Sequence, residues 1–460
     1  MSACELTGKT VLVMGLGRFG GGVDVARFAS GVGARVVVTD AATEEQLAHS
    51  VRQLDGLAGI ELKLGRHDAE DFARADMVVV NPAVRPDHPL LGVARERGRA
   101  ITSQIELFFD LCPARVVGIT GANGKSTTAS LTAHLLEHGL DRSGAAERAN
   151  VWLGGNIGHR PLLGTLAEMT AEDVVVLELS SFQLEQLAGV GKAPGIALLT
   201  NLTPNHLDRH GTFEAYCAAK ENIFRLQRCG GQQPAVSIFN AEDPIACAWF
   251  EKYRSESGRM CVTYSADDVG PSLRERFALP GRANLSNLAG AIAIARQFEI
   301  CDEAIAKALP EFRALPHRLE LVATVDGVRW YNDSIATTPE SVAVALEAFD
   351  EPKVVIAGGY DKGVAFDELG VRIARHAKAV VLMGQTAGRI AQAIEANGEA
   401  AREVPVSFAA SLGEAVQLAR RQAVRGDVVL LSPACASYDM FDNFQQRGQR
   451  FVDLVRQLGE

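Results

Sequence analysis

Two short segments constrain this chain more than any others: GITGANGKST at residues 118–127 and ELSSFQLE at 178–185. The first grows out of a β-branched run, RVVGIT (115–120), and leads into a helical pattern near 126–138. A glycine-bearing turn between strand and helix turns backbone N–H groups toward a phosphate chain, and the helix N-terminus favours negative charge. The strict phosphate-loop pattern has a glycine five residues before Gly124, where this chain has Ile119. The usable motif is therefore T-G-x-N-G-K-S over 120–126. Gly121 and Gly124 free the backbone, Lys125 can reach the β/γ-phosphates, and Ser126 can ligate Mg²⁺. Glu178 stands at the end of VVVLEL (174–179). Alone it reads as a solvated edge residue. Beside a phosphate loop, at the carboxyl edge of a parallel sheet, it reads as a metal ligand. The pair points to ATP with Mg²⁺.

At 460 residues the chain is too long for one core, so two or three domains are expected. The formal charge is −10 and no long Lys/Arg run occurs, which argues against nucleic acid or an anionic membrane as partner. Eight cysteines without a CxxC pair form neither a zinc framework nor a disulfide scaffold, and they fit a reducing cytoplasm. The N-terminus enters a strand at once, so no signal peptide is expected, and no apolar stretch is long enough to span a bilayer.

Three α/β units follow one another. The first has the strand TVLVM (10–14), the glycines Gly15, Gly17 and Gly20 in GLGRFG, a helix, and ARVVVTD ending at Asp40. That is a dinucleotide-type βαβ fingerprint, though the turn alone also suits another nucleotide or a plain tight turn. MVVV (77–80) continues this unit. The second alternates RVVGIT, VVVLEL and IALLT (196–200) with helices, predicting a mostly parallel sheet. The third opens with a hairpin, LELVATV and VRWYN around Asp326-Gly327, then alternates KVVIAGG (353–359), AVVLMG (379–384) and DVVLLS (427–432) with helices. The expected domains are 1–110, 111–313 and 314–460.

NLTPNHLDRHGTF (201–213) supplies His206, which could ligate a cation or orient an oxygen nucleophile, and which otherwise reads as a loop histidine capping a helix. Lys220, in TFEAYCAAKENIFRL, is by spacing alone a helix lysine.

Taken together the motifs resemble the Mur ligase superfamily, ATP-dependent amide-forming enzymes of peptidoglycan precursor synthesis. The resemblance runs from Gly15 to the final helix through TGANGKST, GGNIG (154–158), ELSSFQLE, NHLDRHG, GRANLSNLAGA (281–291), LPHRLE (315–320), YNDS (331–334) and LSPACASYDMFDNFQQRG (431–448). The last segment resembles the glutamate-adding members. The resemblance implies an N-terminal Rossmann-like domain that binds UDP instead of NAD, a central ATPase domain, and a C-terminal Rossmann-like domain. Gly15, Leu16, Gly17, Arg18, Asp40, Asn156, Ser180 and Gln183 would contact the UDP-substrate. Residues Thr120, Gly121, Ala122, Asn123, Gly124, Lys125, Ser126 and Thr127 would hold ATP, joined by Asn284, Asn287, Arg318 and Asp333. Catalysis would rest on Lys125, Glu178, His206 and Lys220, with Lys220 carbamylated and two Mg²⁺ ions bound through Ser126, Glu178, His206 and the carbamate. Glutamate would meet Thr337, Lys362, Ser437, Tyr438 and Phe444. As plain structure, Tyr438 and Phe444 read as packing residues and Lys362 as an exposed turn lysine. The implied reaction activates the L-alanyl carboxylate of UDP-N-acetylmuramoyl-L-alanine as an acyl phosphate, which the amine of D-glutamate attacks while domain closure excludes water. The enzyme would be a cytoplasmic monomer.

One departure bears on this. In YNDSIATTPES the family pattern has a lysine where Ile335 stands, removing a cation near the glutamate site and leaving L-glutamate as the alternative. A dehydrogenase using NAD would explain residues 10–40 but leave the phosphate loop, Glu178, Asn284 and Asn287 without a role.

Overall fold

The computed structural model describes residues 3–18, 20–140, 149–157, 162–231, 234–398 and 404–459. It divides into two compact units, residues 1–268 with 287–308 and residues 269–286 with 309–460.

The first unit carries two sheets. Strands β1 (Thr10–Met14), β2 (Arg35–Asp40), β3 (Ile60–Leu64), β4 (Met77–Val80) and β5 (Ala100–Ser103) assemble in the order β3-β2-β1-β4-β5, every pair parallel. Strands β6 (Arg115–Thr120), β7 (Val151–Gly155), β8 (Val174–Glu178), β9 (Ile196–Leu199), β10 (Ala235–Asn240) and β11 (Arg259–Tyr264) take the order β11-β10-β9-β6-β8-β7, again all parallel. Both sheets are covered on two faces, which is why their central strands are runs of valine, leucine and isoleucine instead of alternating patterns. Every residue of β4, β8 and β9 is buried.

The order of the second sheet decides where the chemistry falls. Strand β6 lies between β8 and β9, with Ile119 level with Glu178 and Thr120 level with Leu199. The loop leaving β6 is therefore flanked by the ends of both neighbours. Residue 119 is a fully buried strand position, which accounts for isoleucine where the strict loop pattern has glycine.

The second unit has one mixed sheet. Strands β12 (Glu320–Val325), β13 (Val328–Asn332), β14 (Lys353–Ala357), β15 (Ala379–Met383), β16 (Val406–Ala409) and β17 (Val428–Leu431) run in the order β12-β13-β17-β14-β15-β16. Only the expected hairpin, β12 with β13, is antiparallel. Asp326 (φ 53°) and Gly327 (φ 79°) both take positive φ, the requirement of the two-residue turn that matches strand twist. Alternate residues of β14 feed opposite cores: Val354 and Ile356 one, Val355 and Ala357 the other. Among the described residues no helix is long and apolar enough to cross a membrane.

Candidate active site

The phosphate-type loop is held open by its neighbours. Thr120 Oγ1 donates to Leu179 O at 2.7 Å, and Thr200 Oγ1 donates to Asn123 O at 2.6 Å. Ala122 N reaches Asn201 O at 2.8 Å, and Asn123 N reaches Asn201 Oδ1 at 2.9 Å. Gly121 has φ +144°, and a Cβ there would stand 1.9 Å from Thr200 Oγ1. Gly124, at φ +80°, precedes helix Lys125–Gly139, and its Cβ would stand 2.3 Å from Asn287 Oδ1. Neither position can carry a side chain, so the backbone stays bare where a phosphate chain would lie. Lys125 folds back to Ala122 O at 2.8 Å, and Thr127 is buried in the first turn.

The adjacency of β6 and β8 delivers the carboxylate. Ser126 Oγ donates to Glu178 Oε2 at 2.6 Å, and Asn156 Nδ2 donates to Glu178 Oε1 at 2.9 Å. Asn156 N also reaches Glu178 O at 2.8 Å, which sets the end of β7 against β8. Of the GGNIG motif, Gly158 lies outside the described residues.

Lys220 lies on helix Phe213–Arg225, as its spacing predicts, but on the buried face. It is only 2% exposed, and its Nζ donates to Thr120 Oγ1 at 3.2 Å behind the loop. Burial, then the nearby Lys125 ammonium, push its pKa well below the ordinary lysine value, while Glu178 pulls the other way. The amine is thereby biased toward its neutral, nucleophilic form.

His206 occupies the N-cap position of helix Leu207–His210 at φ 51°, as the plain reading has it, but only its carbonyl takes part in the cap and its side chain makes no capping bond. Its ring packs 5.2 Å from Phe182 and 6.5 Å from Tyr216, centroid to centroid. Partial enclosure and then Lys220 lower its pKa, which favours a neutral imidazole with a free lone pair. Lys125, Ser126, Glu178, His206 and Lys220 thus gather at the carboxyl edge of one sheet. Among the described residues no three His, Cys, Asp or Glu side chains form a metal cluster. Ser126 and Glu178 instead bring together two oxygens of the hard type that a magnesium ion prefers.

The glycine turn after β1 is built as its fingerprint requires. Gly15 N donates to Thr39 O at 2.8 Å, Gly17 N to Asp40 Oδ2 at 3.1 Å, and Ser50 Oγ to Gly17 O at 2.7 Å. Leu16 is fully buried and offers only backbone, whereas Arg18 is exposed. Gly20 serves through φ +86° alone, its Cβ direction being open. The close-packing glycine is Gly22, where a Cβ would stand 2.5 Å from Gly15 O and Leu16 O. Sequence reading missed it, although the doubled glycine at 21–22 is a signal for it. Asn81, also missed, donates to Gly15 O at 3.3 Å. Ser180 and Gln183 spend side-chain bonds on each other as a capping box for helix Ser181–Leu187.

In the second unit Asp333 is buried, accepting from Ser432 Oγ at 2.9 Å and Leu319 N at 3.3 Å. Burial raises its pKa from 3.8 to about 7. The flanking Arg318 follows His317 at φ 65° and precedes Leu319 at φ 42°, a strained turn of the type that clusters at working sites. Asn284 donates to Pro280 O at 2.7 Å, whereas Asn287 meets Thr128 Oγ1 at 3.2 Å beside the phosphate loop in the first unit. Ser437 is buried with its Oγ lacking a partner among the described residues, and Lys362 is exposed. Tyr438 is 64% exposed, against its reading as a packing residue. Phe444 opens helix Phe444–Gln457, and its carbonyl accepts from Ser334 Oγ at 2.8 Å. Thr337 and Ile335 are half-buried in the loop after β13. Arg447, missed from sequence, is wholly buried and donates to Ser334 O at 2.8 Å and Cys435 O at 3.0 Å, joining two segments of this region.

A phosphate-type loop with a metal-competent carboxylate, beside a dinucleotide-type turn, defines an α/β enzyme that works on nucleotides. The chain belongs to the Mur ligase family. The family models for the Mur ligase MurD-like N-terminal domain, the Mur ligase middle domain and the Mur ligase glutamate ligase domain match residues 9–103, 119–275 and 317–435. The UDP-N-acetylmuramoylalanine–D-glutamate ligase of Roseiflexus sp. (strain RS-1) is 40% identical over 486 residues, covering 98% of this chain and 99% of that protein. The enzyme of the same name from Symbiobacterium thermophilum is 39% identical over 441 residues, 93% of each. Among solved structures, MurF from Acinetobacter baumannii aligns over 99% of this chain and 93% of its own with a TM-score of 0.58. MurF from Thermotoga maritima, in complex with ADP, gives 0.57 over 99% and 96%. At 17% and 16% identity these two speak for the fold alone. Enzymes of this family are ligases that use ATP and Mg²⁺.

Proposed function

We propose that this chain is the ADP-forming ligase that joins D-glutamate to UDP-N-acetylmuramoyl-L-alanine in peptidoglycan precursor synthesis. What carries the reading is the gathering of Lys125, Ser126, Glu178 and buried Lys220 at one sheet edge, in a chain this similar to D-glutamate ligases along its whole length.

A carboxylate resists amines because oxide is a poor leaving group, and it is repelled by a triphosphate. Lys125 offsets part of that charge and orients the γ-phosphate, so that an L-alanyl carboxylate oxygen can attack phosphorus while ADP departs. The acyl phosphate then meets the glutamate amine. Nitrogen bonds to the carbonyl carbon, phosphate leaves, and the amine proton passes to solvent. Gly121 and Gly124 leave the loop backbone clear of side chains, so phosphate oxygens could approach a turn already held in place by Thr120, Thr200 and Asn201. Magnesium, held by Ser126 and Glu178, would supply Lewis-acid neutralisation of phosphate oxygens. The finer assignments are that two ions bind, that His206 belongs to the second site, and that Lys220 carries a carbamate. A buried amine beside the loop, its pKa pushed well down by burial, supports the last of these.

The glycine turn at 15–18, with Asp40, is assigned to UDP, and Asn156, Ser180 and Gln183 to the rest of the substrate. Asn284, Asn287, Arg318 and Asp333 are assigned to ATP, and Thr337, Lys362, Ser437, Tyr438 and Phe444 to glutamate. The buried Ser437 hydroxyl, without a partner among the described residues, supports the glutamate assignment, since such a donor is costly unless a ligand uses it. The proposed domains are 1–110, 111–313 and 314–460, supported by the three separate family matches. The reading carries the expectation of a cytoplasmic monomer acting on small molecules. The test is a coupled assay in which ADP and phosphate appear only when UDP-N-acetylmuramoyl-L-alanine, glutamate and Mg²⁺ are all present. Phosphate release that ignores the UDP-substrate would overturn it.

A further inference from the structure

Asp24 lies in the first turn of helix Gly21–Gly31, directly behind the glycine turn, and is only 5% exposed. It makes no ion pair among the described residues. Instead its Oδ2 accepts from Leu162 N at 2.9 Å, Leu163 N at 2.8 Å and Gln104 Nε2 at 2.6 Å, and its Oδ1 accepts from Gly164 N at 3.1 Å. Three consecutive backbone N–H groups converging on one anion form a nest of the kind that elsewhere holds phosphate. Here the protein fills it with its own carboxylate. Charge-assisted bonds are the strong ones, and a buried carboxylate this far from water depends on all of them.

The three segments that meet at Asp24 are informative. Its own helix carries the glycine turn assigned to UDP. Gln104 opens helix Gln104–Leu111, the covalent passage from the first sheet to β6. Residues 162–164 belong to the connection from β7 to β8, which begins with Asn156, itself bonded to Glu178. From Asp24 the contacts pass to Leu162, whose side chain closes over Gly154 of β7 beside Leu177 of β8, and so to the two strand ends that carry Asn156 and Glu178, the latter bonded to Ser126.

We propose that Asp24 is a positioning residue for the ligation, fixing the span between the UDP turn and the Glu178 centre. This rests on the functional reading above. A substrate anchored at its nucleotide end delivers its far carboxylate only if that span is set beforehand. The glycine turn does not need Asp24 for its own shape, because Thr39, Asp40 and Ser50 hold it independently. Loss of Asp24 therefore separates two things that a general loss of stability would not: gripping UDP, and gripping UDP and the reacting end together.

The experiment is calorimetry and kinetics on the full-length wild type, Asp24→Asn and the milder Gln104→Ala, with UDP alone and with UDP-N-acetylmuramoyl-L-alanine. Asn keeps the size but removes the charge and turns an N–H₂ group toward N–H donors. The expected result for Asp24→Asn is an unchanged Kd for UDP, with Kd for the full substrate weakened by about tenfold or more. Its kcat/KM should fall by at least as much, while KM for ATP stays within about twofold. Gln104→Ala should show the same split on a smaller scale. Amide hydrogen exchange at residues 162–164 should accelerate in Asp24→Asn, whatever the substrate proves to be. Equal weakening of both ligands, no weakening of either, or unchanged exchange at 162–164 would overturn the proposal. A wild type that binds neither UDP nor the full substrate would bring down the functional reading itself, a result distinct from these.

Discussion

Ser126 Oγ and Glu178 Oε2 stand 2.6 Å apart although 52 residues separate them in sequence. The contact exists because β6 and β8 are parallel neighbours in register, so the last residue of one reaches the first helical turn after the other. The hydroxyl and the buried carboxylate bring together two hard oxygens of the kind magnesium prefers, in line with the magnesium assignment proposed above. Glu178→Gln keeps the shape and the bond to Ser126 but removes the charge. Its turnover should drop by about a hundredfold or more, with a melting temperature within a few degrees of wild type. Magnesium titration of the residual activity checks the cause, since the variant should need far more Mg²⁺ to saturate.

Lys125→Ala should abolish ATP-dependent turnover while leaving UDP-substrate affinity nearly intact. The lysine bonds to Ala122 O in its own loop, whereas the glycine turn sits after β1 in the other sheet of the unit. Calorimetry with each ligand separately is the check. Equal loss of both affinities would show that the two sites are not separate.

Burial, and then Lys125, push the pKa of Lys220 well below the ordinary lysine value. A neutral amine adds CO₂; an ammonium does not. Native mass spectrometry in bicarbonate buffer should show an increment of one CO₂ that disappears in Lys220→Met, and the variant should be folded and inactive. An unmodified wild-type mass alongside full activity would remove the carbamate from the account.

Asp333 gives a pH dependence with a definite sign. Its pKa is 3.8 when unperturbed and about 7 in the fold, so the native state binds the extra proton between those values. The stability this provides is complete below about pH 4 and is lost as pH rises through about 7, on the order of a few kcal/mol. Urea midpoints measured across that range should fall for the wild type, and the fall should be largely absent in Asp333→Asn.

Much of this was legible in the sequence, and the remainder was hidden for reasons that can be named. Strands β1, β6, β8 and β9 declare themselves because sheets covered on both faces demand unbroken apolar runs. Strand β10, AVSIFN, was not identified: its Ser237 looks polar, yet Arg259 and Gln227 bury it in a network of bonds at 2.7 Å. Local pattern carries no trace of partners that distant. The same holds at the site. Lys125 and Ser126 are readable from the loop, but the burial of Lys220 follows from packing its helix behind β6, and periodicity reports only the helix. Asp24 was invisible because its main partners are backbone N–H groups 138 to 140 residues away.

The most direct test of the central claim is product mass and phosphate release with UDP-N-acetylmuramoyl-L-alanine, ATP and Mg²⁺, comparing D- with L-glutamate. Ile335 is half-buried, with its N–H donating to His317 O at 3.2 Å, and it brings no charge to the glutamate region. Under the proposed assignment, recognition of the two glutamate carboxylates falls to Lys362, Thr337 and Ser437. The account predicts amide product with D-glutamate, a high KM for it, and a lower KM in Ile335→Lys with KM for ATP unchanged. Product with L-glutamate only, or phosphate release without any amide, would contradict it.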